Sequence, residues 1–370
     1  MKKFLLLILL AAVIGPPIAW KLDKDRKLNI TILDASVRNE ARTDHASLVW
    51  LLDQLRIRDS SGDPYSVDDY FGFFPERQQQ VRVLQQADLV NTELLYIADA
   101  RGVWHSGIET FEMMRDAQRD RQLHTGFNSQ EIDAITGYIR RGGLAVAEAF
   151  LFYAGHKGEN ARGRLEEAFN VRWTGWIGGW FKDLNNIQEV PFWVRSLYER
   201  TQQLTWNYRG PGVLLVRPSD GKFVVLAPGI ELRTPRPELI ISQRRGPLAE
   251  GVESRVPLWG WFEIVEARDP SQVHAAISLD VTGAGEQALT ENGLSSTFPA
   301  VVAQWIDRST YYLAADLGYA ATWLGPAQIK WMLEIRGELS TTTEKQFPGE
   351  HAFWRVYVPF VRNLLNERAY

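Results

Sequence analysis

Leu28-Asn-Ile-Thr-Ile-Leu-Asp34, Leu94-Leu-Tyr-Ile-Ala-Asp99 and Gly142-Gly143-Leu-Ala-Val-Ala-Glu148 are three short apolar runs, each closing on a carboxylate. The first alternates and is rich in β-branched residues. The other two are nearly continuous in apolar character, as strands covered on both faces are. Helical spacing lies between them. His45 to Arg56 places Leu48, Leu51, Leu52 and Leu55 on one face, and Ser129 to Arg141 carries Glu131 and Asp133 in its first turn before stopping at Gly142-Gly143. Gly158–Phe169 supplies a further helix. Strands alternating with helices at this spacing imply right-handed crossovers and a parallel sheet. The expected body is a three-layer, flavodoxin-like α/β domain with a mainly parallel sheet.

Outward from these runs the character changes at Val171, where Gly, Pro and Trp become dense. Gly212–Val216 and Lys222–Leu226 flank Pro218-Ser-Asp-Gly221 and read as a β-hairpin. Trp173-Thr-Gly-Trp176-Ile-Gly-Gly-Trp180 reads as a loop or short strand, because three glycines make a helix there unstable. Glu76–Gln86 looks helical and Arg236–Arg255 loop-like. Val256–Val265, His274–Val281, Ala300–Trp305 and Thr310–Ala315 continue as strands, and helices over Pro326–Arg336 and Glu350–Arg368 close the chain. The resulting division is 1–27 for a leader, 28–169 for the first part of the α/β domain, 170–255 for a β-rich insertion and 256–370 for the remainder.

In open α/β sheets the ligand crevice lies beyond the carboxyl ends of the strands. Asp34, Asp99 and Glu148 are delivered there, and Asp316 follows another strand. Convergent carboxylates suit either a hard cation or an acid/base pair whose pKa values are pushed apart. Asp34, Asp99 and Glu148 are therefore the candidate catalytic groups. The Asp99-Ala-Arg101-Gly-Val-Trp104-His105 segment adds a cation, a ring and an imidazole after the central strand, and His45 opens the first helix. Arg101, His45, Trp104 and Asp316 are the candidate ligand-binding residues, with Trp176 and Trp180 as a flat platform for a saccharide ring. The histidines show no HExxH or HxH spacing, so no transition-metal site and no cofactor is expected. Gly283-Ala-Gly285 only formally mimics a dinucleotide fingerprint.

The formal charge of −4 gives no basic field for a phosphate backbone, so nucleic acid is not an expected partner. The absence of cysteine excludes thiol nucleophiles and disulfides. Phe4 to Trp20 is an apolar run behind Met1-Lys2-Lys3, and a membrane core about 30 Å thick needs roughly 17–25 apolar residues in a helix. It reads as an uncleaved membrane anchor, with a cleavable signal as the alternative. The body is expected outside the cytoplasm, although the Lys/Arg-rich flank Lys21–Lys27 argues for the opposite orientation.

The order of strand-Asp34, strand-Asp99, Gly142-Gly143-strand-Glu148, then Pro299-Ala-Val-Val and Ser309-Thr-Tyr-Tyr-Leu-Ala-Ala-Asp316 with a closing helix resembles the class I glutamine amidotransferase-like superfamily, including its ThuA-like branch. The resemblance covers Leu28–Phe169 and Val256–Tyr370. It implies an amidotransferase-like fold with a nucleophilic cysteine on the elbow after Leu144–Phe150. Glu148-Ala149-Phe150 stands there instead, so glutaminase activity is not implied. The leader and the Trp-rich insertion also resemble membrane-anchored proteins of bacterial envelopes. The expected function is binding of a glycan or glycan precursor at the envelope. A carboxylate-dependent glycoside hydrolase and a non-enzymatic scaffold recruiting envelope proteins are the alternatives.

Overall fold

The computed structural model describes residues 13–37, 41–75, 80–104, 122–124, 126–305, 309–319, 324–343 and 349–368. The first half of the chain forms β1 (Ile30–Asp34), α1 (Thr43–Gln54), β2 (Tyr70–Phe74), β3 (Gln80–Arg82), β4 (Leu94–Asp99), α2 (Ser129–Arg140), β5 (Leu144–Ala147) and α3 (Ala161–Ala168). It continues through β6 (Val171–Phe181), α4 (Phe192–Gln202), β7 (Gly212–Arg217), β8 (Lys222–Leu226), β9 (Glu238–Ile241), β10 (Arg255–Pro257) and β11 (Gly260–Ala267). β12 (Val273–Ser278), α5 (Gly283–Thr290), β13 (Thr297–Gln304), β14 (Ser309–Leu313), α6 (Met332–Thr343) and α7 (Val358–Arg368) complete it.

A ten-stranded sheet runs in the order β10-β9-β12-β13-β14-β5-β4-β1-β2-β3. Its β14-β5-β4-β1-β2 half is parallel, and the strands on either side of that half pair antiparallel. Ranked by sequence, the parallel strands lie in the order 2-1-3-4-5, which puts the topological switch point between β1 and β4. Helices accordingly cover both faces. Ile30, Ile32, Tyr96 and Val146 pack with Leu48, Leu51 and Leu52 of α1 on one side. Leu33, Leu95, Ile97 and Ala145 pack with Ile132, Ile135 and Ile139 of α2 on the other. Alternate residues of each strand thus feed alternate cores, the three-layer arrangement that the apolar runs demand.

A four-stranded antiparallel sheet, β8-β7-β6-β11, stacks beside this body. The hairpin at Arg217↔Lys222 pairs as expected. The division at residue 255 does not separate the two sheets, because β9 joins the large one and β11 the small one. The Trp-rich segment, read as a loop or short strand, is the long strand β6. Its glycines make room for neighbours: a Cβ on Gly178 would lie 2.4 Å from the Phe262 ring. Within 76–86 the described part contains strand β3 in place of a helix, and the helix expected over 326–336 begins later, at Met332.

The membrane-anchored, extracytoplasmic placement is corrected. Among the described residues no helix is long and apolar enough to cross a membrane. Residues 4–12 of the apolar run lie outside the described residues. The remainder belongs to helical residues 13–22, whose Trp20 is packed on the body. Its indole N–H donates to the Gln54 carbonyl at 3.0 Å, and the Arg56 guanidinium lies 4.7 Å from its ring centre.

Candidate functional site

Asp34 and Asp99 are register partners across the switch point. Neither points idly at solvent. Asp34 is fully buried, with Oδ1 accepting from the Ser36 N–H at 2.9 Å and Oδ2 2.7 Å from His45 Nδ1. The other ring nitrogen of His45 lies 2.8 Å from the Val67 carbonyl, so the imidazole bridges the carboxylate and that backbone oxygen. His45 reaches this place because it sits in the first turn of α1, which starts after Arg42 in a left-handed conformation.

Asp99 holds Arg101 at two points. The Arg101 backbone N–H donates to Oδ1 at 2.7 Å and its Nε to Oδ2 at 2.6 Å, while Nη2 forms an ion pair with Oδ2. Ser36 Oγ also donates to Oδ1, at 2.6 Å. The guanidinium rests 4.3 Å above the Phe150 ring and reaches Asp44 at 3.6 Å. Its side chain is 24% exposed and that of Asp44 17%, whereas Asp99 is sealed. Burial works to lower the Arg101 pKa, but Asp99 and Asp44 outweigh it and hold the group above its ordinary value.

Two carboxyls beside this cation keep their protons longer than usual. Burial, reinforced by the charges of Asp34 and Asp99, pushes Asp44 well up, with Arg101 opposing. Burial likewise raises Asp316 to about 6, again against Arg101 and with Asp99 adding to the rise. Asp316 follows β14, and its N–H donates to the Trp261 carbonyl at 3.3 Å. Tyr319 is an exposed ring beside it, its hydroxyl pushed up by burial first and then by Asp316 and Asp44.

Glu148 is brought to the same end of the sheet but lies beneath it. Tyr96 donates to its Oε1, Tyr96 and Tyr357 hydroxyls are 2.7 Å apart, and the Gly318 N–H donates to Oε2 at 2.9 Å. Tyr357 arrives from a π-helical turn, Phe353–Tyr357, that precedes α7. Burial pushes the Glu148 carboxyl well above the ordinary range, and Asp316 adds to the shift. It is a proton-holding group under a lid of tyrosines.

The tyrosine lid corrects the expected pairing of Asp99 with Glu148 in one open cleft, and the tryptophan platform needs a second correction. Trp176 and Trp180 alternate along β6 on the face that packs against the main body, and both are buried. The Trp180 indole donates to the Pro235 carbonyl at 2.7 Å. A strand sends residues i and i+2 to one side, so two indoles four apart share a fate. Trp104 pairs through its backbone near Gln122; its side chain and all of His105 lie outside the described residues. Among the described residues no group of three His, Asp or Glu is arranged to hold a metal ion.

Sequence reading missed Asp44, Ser36, Tyr96, Tyr357 and Gly318. An acid next to His45 in a first helical turn was a usable signal for Asp44. Tyr357 and Gly318 carried none, since they meet Glu148 only through the tertiary fold.

No protein-family model and no curated protein matches the sequence. Among solved structures, a protein described as ThuA-like from Parabacteroides merdae is 15% identical over 79% of this chain and 79% of its own, with a TM-score of 0.36. Another described as ThuA-like, from Bacteroides uniformis, is 13% identical over 80% of this chain and 84% of its own, with a TM-score of 0.35. A cytoplasmic protein from Salmonella typhimurium is 12% identical over 93% of this chain and all of its own, with a TM-score of 0.36. The chain is thus a mixed α/β protein whose solved structural neighbours include ThuA-like proteins, a likeness too distant to carry an activity.

Proposed function

We propose that the crevice at the switch point binds a polyhydroxylated ligand, a glycan or glycan precursor, and performs no amide transfer. The observation that carries this reading is the gathering of Asp44, Asp99 and Asp316 around the single Arg101 guanidinium. A sugar hydroxyl both donates and accepts. A guanidinium supplies fixed donors, and carboxyls supply acceptors and, where burial raises their proton affinity as at Asp44 and Asp316, a donor while protonated. Arg101 is pre-organised by its double hold on Asp99, which lowers the ordering cost of binding. The chain has no cysteine for thiol chemistry.

Affinity electrophoresis in gels containing amylose, xylan or N-acetylglucosamine oligosaccharides tests the reading. The parent protein should be retarded by one of them, and Arg101→Ala and Asp44→Asn should weaken retardation at least tenfold. A parent that runs freely in all three gels ends the proposal.

A hydrolytic reading has one observation in its favour: Asp316 keeps its proton to about 6 beside the ion pair of Asp99 with Arg101, so it can serve as an acid in mildly acidic solution. Release of reducing ends from the same polysaccharides, abolished by Asp316→Asn, would support it. No release by the parent would remove it.

A further inference from the structure

Glu263 on β11 is fully buried and lies outside the cluster around Arg101. It comes from the small sheet, yet its carboxylate reaches into the large one. Oε1 accepts the Phe152 N–H at 3.0 Å and also the Tyr153 N–H, the Phe150 N–H donates to the same carboxylate, and Tyr312 of β14 donates to Oε2 at 2.5 Å. These amides belong to the turn that follows β5 and Glu148. The turn is held in an unfavourable shape: Phe150 has a φ of 70°, a left-handed conformation that a bulky side chain rarely adopts. The Phe150 ring is the surface on which the Arg101 guanidinium rests, 4.3 Å away.

We infer that Glu263 is a positioning residue for the crevice: it clamps the backbone of the 150–153 turn from the second sheet, and so fixes the Phe150 ring that supports Arg101. The ionised carboxylate offers acceptors to three amides and one hydroxyl. A protonated carboxyl loses one of them and presents a donor to a ring of donors, so the clamp loosens. Burial pushes Glu263 up to about 7, opposed by the bonds from Tyr312, Tyr153, Phe152 and Phe150. The groups facing it are Tyr312 from β14 and those turn amides; Asp316 and Asp44, in the crevice itself, also keep their protons longer than usual. Loosening on acidification would free the Phe150 ring and let Arg101 drift.

Amide hydrogen exchange of the full chain between pH 5.5 and 8.5 tests this without a ligand. Protection factors of Phe152 and Tyr153 should rise at least tenfold with pH, and the ring-current-shifted Nε proton of Arg101 should move with the same midpoint. Glu263→Gln should flatten both, while Asp316→Asn should leave the Phe152 and Tyr153 profile in place. Tyr312→Phe removes one bond to the charged form and should move the midpoint to higher pH, which keeps the test open if the Gln variant does not fold. Protection independent of pH in the parent, a profile that survives Glu263→Gln, or an unmoved midpoint in Tyr312→Phe overturns the inference. Its link to glycan recognition rests on the crevice reading. A shared midpoint in a protein that no polysaccharide retards would sink that reading and leave the positioning role standing.

Discussion

The backbone N–H of Gly318 donates to Glu148 Oε2 at 2.9 Å, and a methyl group on Gly318 would lie 2.5 Å from Oε1 of the same carboxyl. The segment after β14 is thereby fastened to the end of β5. Glu148 cannot swing away, because Tyr96 holds its other oxygen and Tyr357 lies behind. Gly318→Ala is expected to break this bond and leave a buried carboxyl short of a partner, costing about 1–3 kcal/mol. Urea unfolding at pH 7 measures the loss. An alanine variant as stable as the parent would show that Glu148 has room to move.

Asp99→Asn keeps the shape of the side chain but removes the charge that clamps Arg101. Removing one partner of a buried, hydrogen-bonded ion pair costs about 3–5 kcal/mol, and the partial exposure of Arg101 places this case near the lower end. Stability and polysaccharide retardation should fall together. Retained retardation at full stability would mean that Arg101 is held by Phe150 and Asp44 alone.

The stability contributed by Glu263 and Asp316 should decline as pH rises toward neutrality. Glu263 and Asp316 keep their protons in the fold to about 7 and 6, whereas ordinary carboxyls ionise near 4. Between those values the native state binds more protons than the unfolded one, so the contribution is full below the ordinary carboxylate range and is lost as pH climbs through about 7. Glu263→Gln should remove about 3 kcal/mol of this pH dependence. Chemical unfolding at intervals from pH 4.5 to 8 measures it. An unaltered slope in the variant would mean that Glu263 is ionised throughout.

Trp176→Ala should act on the core and not on a ligand platform. The ring is buried between the two sheets, under the Arg217 guanidinium at 5.1 Å. Truncating a buried aromatic costs about 3–5 kcal/mol. The denaturation midpoint should drop by a corresponding amount, while retardation measured on the folded fraction should be unchanged. Loss of retardation with no loss of stability would restore the exposed-platform reading.

The alternation of Leu28–Asp34, the apolar runs at Leu94 and Leu144 and the Ser129–Arg141 spacing made the parallel half of the sheet legible, including the end at which Asp34 and Asp99 emerge. The antiparallel half was less so. β9 lies in a stretch rich in Pro and Arg whose local signals favour a loop, and it becomes a strand because β12 and β10 flank it. At the crevice, Asp99, Arg101 and Asp316 were readable because strand ends and the loops after them announce themselves. Glu263 was partly readable, as a charge flanked by Phe262 and Ile264 inside the apolar part of its strand.

By itself, the sequence determined the strands and helices of the parallel half of the sheet, that several carboxylates leave that sheet at one end, and that thiol chemistry is absent. These are properties of short-range periodicity and composition. Only the tertiary structure decided that Glu148 is capped by tyrosines, that Trp176 and Trp180 face inward, that Asp44 joins Arg101, and that a carboxylate from a second sheet grips the turn beneath it. Burial and proton affinity depend on what packs against a group, and here the packing partners come from elements far apart in the chain, such as Glu148 with Tyr357 and Phe152 with Glu263.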